Sequence, residues 1–79
     1  MAERNVIGPR VKLARKKAIP KISQSDLAAR LQIQGLDFNR VTVTKIEIGY
    51  REVNDIEAQA IAKVLGVSIS WLYGENEQK

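Results

Sequence analysis

Residues 39–49 read NRVTVTKIEIG, and this stretch decides how the chain folds. Asn39 is a favourable N-cap residue for a helix. Val43 and Ile46 lie three residues apart, so that on a helix they share one face. Gly49 follows directly, as expected for the residue that closes a helix. The stretch therefore predicts a short helix with one buried face.

The same residues also carry a signal for a β-strand, because residues 41–43 are three consecutive β-branched residues. We favour the helix, since the spacing of Val43 and Ile46 and the position of Gly49 both fit one.

A second helix precedes this stretch and begins in residues 23–28, SQSDLA. Ser23 can cap it, and Asp26 three residues later can reach back to complete a capping box. Its buried edge is predicted to consist of Leu27, Ala28 and Leu31. Residues 32–38 break the helical pattern, with Gly35 as a flexible or left-handed position.

A first helix is predicted between two prolines. Pro9 suits a first helical turn, and Pro20 ends the helix because the residue before a proline resists the helical conformation. Its apolar stripe consists of Ile7, Val11, Leu13, Ala14 and Ala18.

Two more helices follow. Asn54 caps a fourth helix that Gly66 stops, with the apolar residues Ile56, Ala60, Ile61, Val64 and Leu65. Ser68 caps a short fifth helix that contains Ile69, Trp71 and Leu72 and ends at Gly74.

The composition argues against an enzyme. The 79 residues include no histidine and no cysteine, which removes the usual general base, the usual metal ligands and a thiol nucleophile. We expect no catalytic residue, no metal and no cofactor. Residues 1–51 carry eleven basic and four acidic side chains, a net +7, whereas residues 52–79 carry two basic and five acidic ones, a net −3. This asymmetry points to a polyanionic partner on one side of the molecule. The alternative is a solvated face that only keeps a small protein soluble.

The chain is predicted to be a single domain over residues 1–79, with a core from about residue 7 to 74 and frayed ends at residues 1–5 and 75–79. Basic residues interrupt any apolar run near the start, and no stretch is long enough to span a membrane. We expect a soluble, cytoplasmic protein that makes no membrane contact.

The ordered set of these elements resembles the lambda-repressor-like, Cro-like (XRE-type) helix-turn-helix DNA-binding domains. The resemblance covers nearly the whole chain and implies a compact, all-α fold of five helices, in which the second and third form the helix-turn-helix. The matching elements are Ile7-Gly8, Arg15, residues 23–28, residues 43–49 (VTKIEIG), residues 61–68 (IAKVLGVS) and Trp71-Leu72.

The connection between the second and third helices departs from the family. A tight turn of about three or four residues is usual there, whereas the link around residues 32–36 is about five residues longer. Either the second helix runs on, or a loop bulges before residues 37–39. A smaller extension around residues 16–21 lengthens the first connection.

By resemblance, residues 39–48 form the recognition helix that enters the major groove. Arg40 can donate two hydrogen bonds to guanine, Val41 can contact a thymine methyl group, and Lys45 can donate to guanine or phosphate. The alternative is that these are merely exposed helix residues. The implied base contacts are Arg40, Val41, Thr42 and Lys45.

The resemblance also implies contacts to the DNA backbone. Gln24 lies in the first turn of the second helix, where free N–H groups attract anions, although ordinary surface polarity would look the same. The implied phosphate contacts are Gln24, Asn39, Thr44, Arg51 and Lys21, with Lys16 and Lys17 as outer candidates.

Two further roles follow from the resemblance. Arg15 and Glu47 are expected to form a structural ion pair that orients the recognition helix. The implied dimer surface consists of Ile69, Trp71, Leu72 and Tyr73, unless these residues simply complete the core.

We therefore expect a sequence-specific regulator of transcription, most simply a repressor, that binds double-stranded DNA as a homodimer on half-sites about 10 bp, or a multiple of that, apart. The alternative is an antitoxin-like or accessory module that uses the same fold to bind a protein partner.

Overall fold

The computed structural model describes residues 3–75, and this part of the chain contains five α-helices and no strand. The helices are α1 (Gly8–Lys17), α2 (Gln24–Ile33), α3 (Arg40–Glu47), α4 (Asp55–Leu65) and α5 (Ile69–Leu72). The predicted all-α fold is confirmed, as is the helix favoured over a strand within residues 39–49. Within residues 3–75, no helix combines the length and the apolar character needed to cross a bilayer.

Polar caps begin four of the five helices, as the sequence predicts. The side chains of Ser23, Asn39, Asn54 and Ser68 each accept a hydrogen bond from the backbone N–H three residues later. The capping box expected at α2 is only half formed among the described residues, since Ser23 Oγ accepts from Asp26 N at 2.9 Å without the reciprocal bond. Complete boxes occur instead at α3 and α4.

The core lies where α3 packs against α1 and α2, while α4 packs against the same two helices and carries α5. Its largest fully buried side chains are Ile7, Val11, Leu27, Leu31, Val43, Ile46, Ile61 and Leu72. Two residues predicted to be buried are exposed, Leu13 at 45% and Ile56 at 68%. Leu13 lies two residues after the fully buried Val11, and Ile56 lies two residues before the fully buried Ala58. Two residues correspond to about 200° around a helix, so Leu13 and Ile56 point away from the side that packs into the core.

The long link between α2 and α3 is an ordered structure. α2 runs on to Ile33 and ends in a Schellman motif, in which Gly35 adopts φ +96° and Leu36 N donates to Leu31 O at 3.0 Å. Phe38 then enters the core, and the Gln32 side-chain amide donates to its carbonyl oxygen at 2.6 Å. Both sequence-based alternatives therefore contribute: the helix is extended, and a short loop follows it.

The start of the described chain is attached to the end of α3. Arg4 N donates to Gly49 O at 2.8 Å, and the Asn5 side chain donates to two further carbonyl groups. These hydrogen bonds attach Arg4 and Asn5, two residues of the end expected to fray, to the end of α3. Most of the remaining residues that were expected to fray lie outside the described part of the chain, namely Met1, Ala2 and residues 76–79.

Gly8 allows α1 to approach α3 closely. A Cβ atom at this position would lie 2.7 Å from the carbonyl oxygen of Glu47 and nearer still to that of Ile46. Because both atoms belong to the backbone, no side-chain rotation could relieve the overlap. The helix–helix distance at the end of α3 therefore depends on this glycine.

Candidate nucleic-acid interface

α3 has one buried face and one face open to solvent. Val43, Ile46 and Glu47 are buried, whereas Arg40, Val41 and Lys45 are exposed. Val41 and Lys45 are four residues apart and therefore lie one above the other on the helix surface. The structure thus brings three of the four predicted base-contact residues onto one outward surface, with Thr42 partly covered at its edge.

A buried ion pair attaches α3 to α1. Arg15 Nε donates to Glu47 Oε2 at 2.7 Å, and a second guanidinium N–H donates to Glu47 Oε1 at 3.0 Å. The hydrogen bond to Glu47 raises the pKa of Arg15 above its ordinary value, although burial opposes this. A third guanidinium N–H donates to Ile22 O at 3.1 Å, which adds the segment before α2. The ion pair implied by the resemblance is present and joins three parts of the fold.

Gln24 connects this ion pair to the exposed face of α3. Its Nε2 donates to Glu47 Oε1 at 3.0 Å, and its Oε1 accepts from Thr44 Oγ1 at 3.0 Å and from Arg40 at 3.4 Å. A carboxylate can only accept hydrogen bonds, so the amide nitrogen must face Glu47 and the amide oxygen must face the two donors. The buried charge therefore determines the orientation of the side chain that contacts Arg40.

The N-terminal turn of α3 is closed by two of the predicted DNA contacts. Asn39 Oδ1 accepts from Thr42 N at 2.9 Å and from the Thr42 hydroxyl at 3.1 Å. Both side chains are exposed enough to meet a ligand, but their polar atoms already stabilise the helix end. Lys21, Lys16 and Lys17 are exposed in and before the connection that leads to α2.

An open groove runs along the outward face of α3, and we refer to it as the α3 groove. One wall is α3 itself, and the other is formed by the loop between α3 and α4 together with the start of the described chain. Its lining residues are Arg4, Asn39, Val41, Thr42, Lys45, Tyr50, Arg51, Glu52, Val53, Asn54 and Glu57. Arg4 was not among the predicted site residues, because no local pattern connects it to α3.

The chain matches the family model of the helix-turn-helix over residues 11–72. It belongs to the lambda-repressor-like, Cro-like (XRE-type) helix-turn-helix family. No curated protein and no solved structure matches it significantly. Members of this family are DNA-binding regulators, so the α3 groove and the exposed face of α3 form the candidate interface with DNA.

Arg51 of this helix-turn-helix domain has partners within the protein. Its guanidinium group donates to both carboxylate oxygens of Glu57, at 3.0 and 3.1 Å, and lies over the Phe38 ring, 4.9 Å from the centroid. The hydrogen bonds from Arg51 lower the pKa of Glu57, against the opposing effect of burial. Arg51 therefore joins the link before α3 to the first turn of α4, a contact that the sequence analysis did not predict.

The expected dimer surface needs one correction. Leu72 is fully buried at 0% exposure, because it points from α5 into the core and cannot contact a partner. Trp71 is half-buried against the same core and lies under the Arg10 guanidinium group, 4.7 Å from the ring centroid. Ile69 and Tyr73 remain exposed.

Ile56, which was predicted to be in the core, lies beside the exposed residues of α5. Together with Ile69 and Tyr73 it lines a shallow recess of about 250 Å³ between α4 and α5. We call Ile56, Ile69 and Tyr73 the α4–α5 patch.

We expect Arg15→Met to lower the free energy of unfolding by about 3–5 kcal/mol, because it leaves a buried carboxylate without its cation. Urea unfolding followed by circular dichroism measures this change. The double variant Arg15→Met, Glu47→Met should be more stable than Arg15→Met alone, since no unpaired charge remains. A double variant that is less stable than the single one would contradict this assignment.

We expect Glu57→Gln to reduce the sensitivity of the fold to acid. The folded-state pKa of Glu57 lies below its ordinary value of 4.5, so its ion pair stabilises the fold above that pH and is lost as the pH falls through the folded-state pKa. Glutamine still supports a capping box but carries no charge. Thermal unfolding between about pH 6 and pH 3 should show a smaller loss for the variant, and equal losses would exclude this role.

Proposed function

We propose that this helix-turn-helix regulator binds double-stranded DNA sequence-specifically and acts as a repressor, with α3 in the major groove. The observation that carries the proposal is the network that connects the buried Arg15–Glu47 pair through Gln24 to Arg40. A side chain that is already oriented loses less entropy when it binds its target. A bound repressor would then act simply by occupying the site that polymerase needs.

Base recognition is assigned to the exposed side chains of α3. Arg40 has a planar group that can donate two hydrogen bonds to guanine O6 and N7, and Val41 offers methyl groups to thymine. Lys45, one turn further along the helix, can donate to guanine or to a phosphate. Thr42 lies at the edge of this surface and offers a methyl group and one acceptor lone pair, because its hydroxyl donates to Asn39 Oδ1 and accepts from Asn39 N.

Contacts to the phosphate backbone of DNA are assigned to residues in or near the first turns of α2 and α3, and to Arg51 after α3. Gln24 retains one amide N–H beyond its bond to Glu47, and the helix end around it supplies free backbone N–H groups. Asn39, Thr44 and Lys21 are proposed beside it. Arg51 is proposed as a contact that also braces the loop through Glu57. With about six phosphates contacted per subunit, log K should fall with log salt at a slope of about −5 for each subunit of the dimer.

The α4–α5 patch is proposed as the homodimer surface. Three large apolar side chains of this patch are exposed, one on α4, one on α5 and one at the residue that follows α5. Exposed apolar residues that cluster in this way are typical of association surfaces. A two-fold dimer through this patch would present two copies of α3 to related half-sites. An antitoxin-like or accessory function would use the same patch to bind a different protein.

We expect selection from a random duplex pool to recover an inverted repeat with half-sites about 10 bp apart, or a multiple of that. Arg40→Ala should then weaken binding by about 5- to 150-fold per half-site and relax specificity at one guanine of each half-site, as expected for the loss of a bidentate contact. Lys63→Ala, a charge removed from the exposed face of α4, serves as the control and should bind normally. Recovery of no motif would contradict the proposal and favour the protein-partner alternative.

We expect Ile56→Glu to shift the protein from dimer to monomer in sedimentation equilibrium, because a charge would have to be buried in the apolar contact. Ile33→Glu makes the same change at another exposed isoleucine, on the last turn of α2. That control should remain a dimer. Identical behaviour of the two variants would exclude this patch.

A further inference from the structure

The N-terminal segment, residues 3–7, is held in place by the amide group of Asn5. Its Oδ1 accepts from the first N–H groups at the start of α1, at 3.0 and 2.8 Å. Its Nδ2 donates to the carbonyl oxygens of Ile46 and Arg51, at 3.1 and 2.8 Å. One side chain therefore connects the beginning of α1 to both sides of the turn that ends α3.

This anchor determines where Arg4 lies. Its backbone N–H donates to Gly49 O at 2.8 Å, so the segment crosses the C-terminal end of α3. Gly49 has φ +81°, and a Cβ atom there would lie 3.4 Å from the Glu3 side chain, which covers it. The backbone around Arg4 is therefore fixed even though its side chain is exposed.

The Arg4 side chain lines the α3 groove together with Lys45 and Arg51. Two acidic residues line the same groove. Glu57 is paired with Arg51, and Glu52 is exposed on the loop. Arg4 and Lys45 are thus two cations on opposite walls of the groove, one from the N-terminal segment and one from the recognition helix.

We propose that Arg4 is a further DNA-binding residue, which contacts a phosphate of the strand bordering the C-terminal end of α3. This inference rests on the proposed function. A helix in the major groove lies between two phosphate backbones, so groups beside its end face a backbone rather than base edges. A guanidinium group fits a phosphate with two parallel hydrogen bonds. The ordered backbone of Arg4 reduces the entropy that such a contact would cost.

The test compares Arg4→Gln with Arg30→Gln, both in the full chain and on the duplex recovered by selection. Arg30 is an exposed arginine on α2 that does not line the groove, so the two variants lose the same charge. The homodimer loses one phosphate contact per subunit, so binding should weaken about 25-fold at 0.15 M salt, which is about fivefold per contact. The slope of log K against log salt should become shallower by about 1.8, or about 0.9 per contact. The loss should be the same for selected and random duplexes, since a phosphate carries no sequence information.

Arg30→Gln is expected to keep the wild-type slope. If Arg4→Gln and Arg30→Gln have the same slope, the inference is overturned while the proposed function stands. If the wild-type protein shows no preference for any duplex, the proposed function fails first, and the inference fails with it.

A second variant tests the anchor. Asn5→Ser keeps a side-chain oxygen that can accept from the N–H groups of Ile7 and Gly8 but removes the amide that reaches Ile46 and Arg51. Once the segment is released, Arg4→Gln should cost less than in the wild-type background, so that the two effects are not additive. Full additivity, with both variants shown to be folded by circular dichroism, would overturn the assignment of Arg4 to a fixed position.

Discussion

The buried Arg15–Glu47 pair is the interaction on which the position of α3 depends. A carboxylate inside a small domain is unfavourable unless its oxygens are satisfied, and here they accept from Arg15 twice and from Gln24 once. These partners come from α1 and α2, so the position of α3 relative to both helices is determined by one charge. The same charge orients the Gln24 amide and, through it, the Arg40 side chain.

The sequence predicted those features that depend on neighbouring residues. The caps at Ser23, Asn39, Asn54 and Ser68 each involve groups three residues apart, so they can be seen without a fold. The inward face of α3 was predictable for the same reason. The failures concern choices made by distant helices: Leu13, Ile56 and Leu72 are all apolar, and only the position of a neighbouring helix decides which of them is buried.

In the candidate site, too, features that depend on neighbouring residues were predicted and contacts between distant residues were missed. The pattern placed Arg40, Val41 and Lys45 on the outward face of α3, and a resemblance in residue type supplied Arg15 and Glu47. The contacts of Arg51 with Phe38 and Glu57 could not be predicted from the sequence, because these residues meet only after the link before α3 and the loop after it have folded. The ion pair between Arg51 and Glu57 did have a signal in the sequence. Glu57 is the third residue of a capped helix, so its carboxylate lies near the helix start, and Arg51 is only six residues earlier in the chain.

α3 is held at both ends by contacts from residues that lie outside the helix. At its start, Phe38 and the Asn39 cap fix the direction in which the chain enters the helix. At its end, Gly8 lets the backbone of α1 approach two carbonyl groups of α3, and the N-terminal segment crosses Gly49. A larger residue at Gly8 would move the end of the helix, because the atoms it would meet belong to the backbone. The position of α3 therefore depends on how its two ends are attached, rather than on the length of the preceding link.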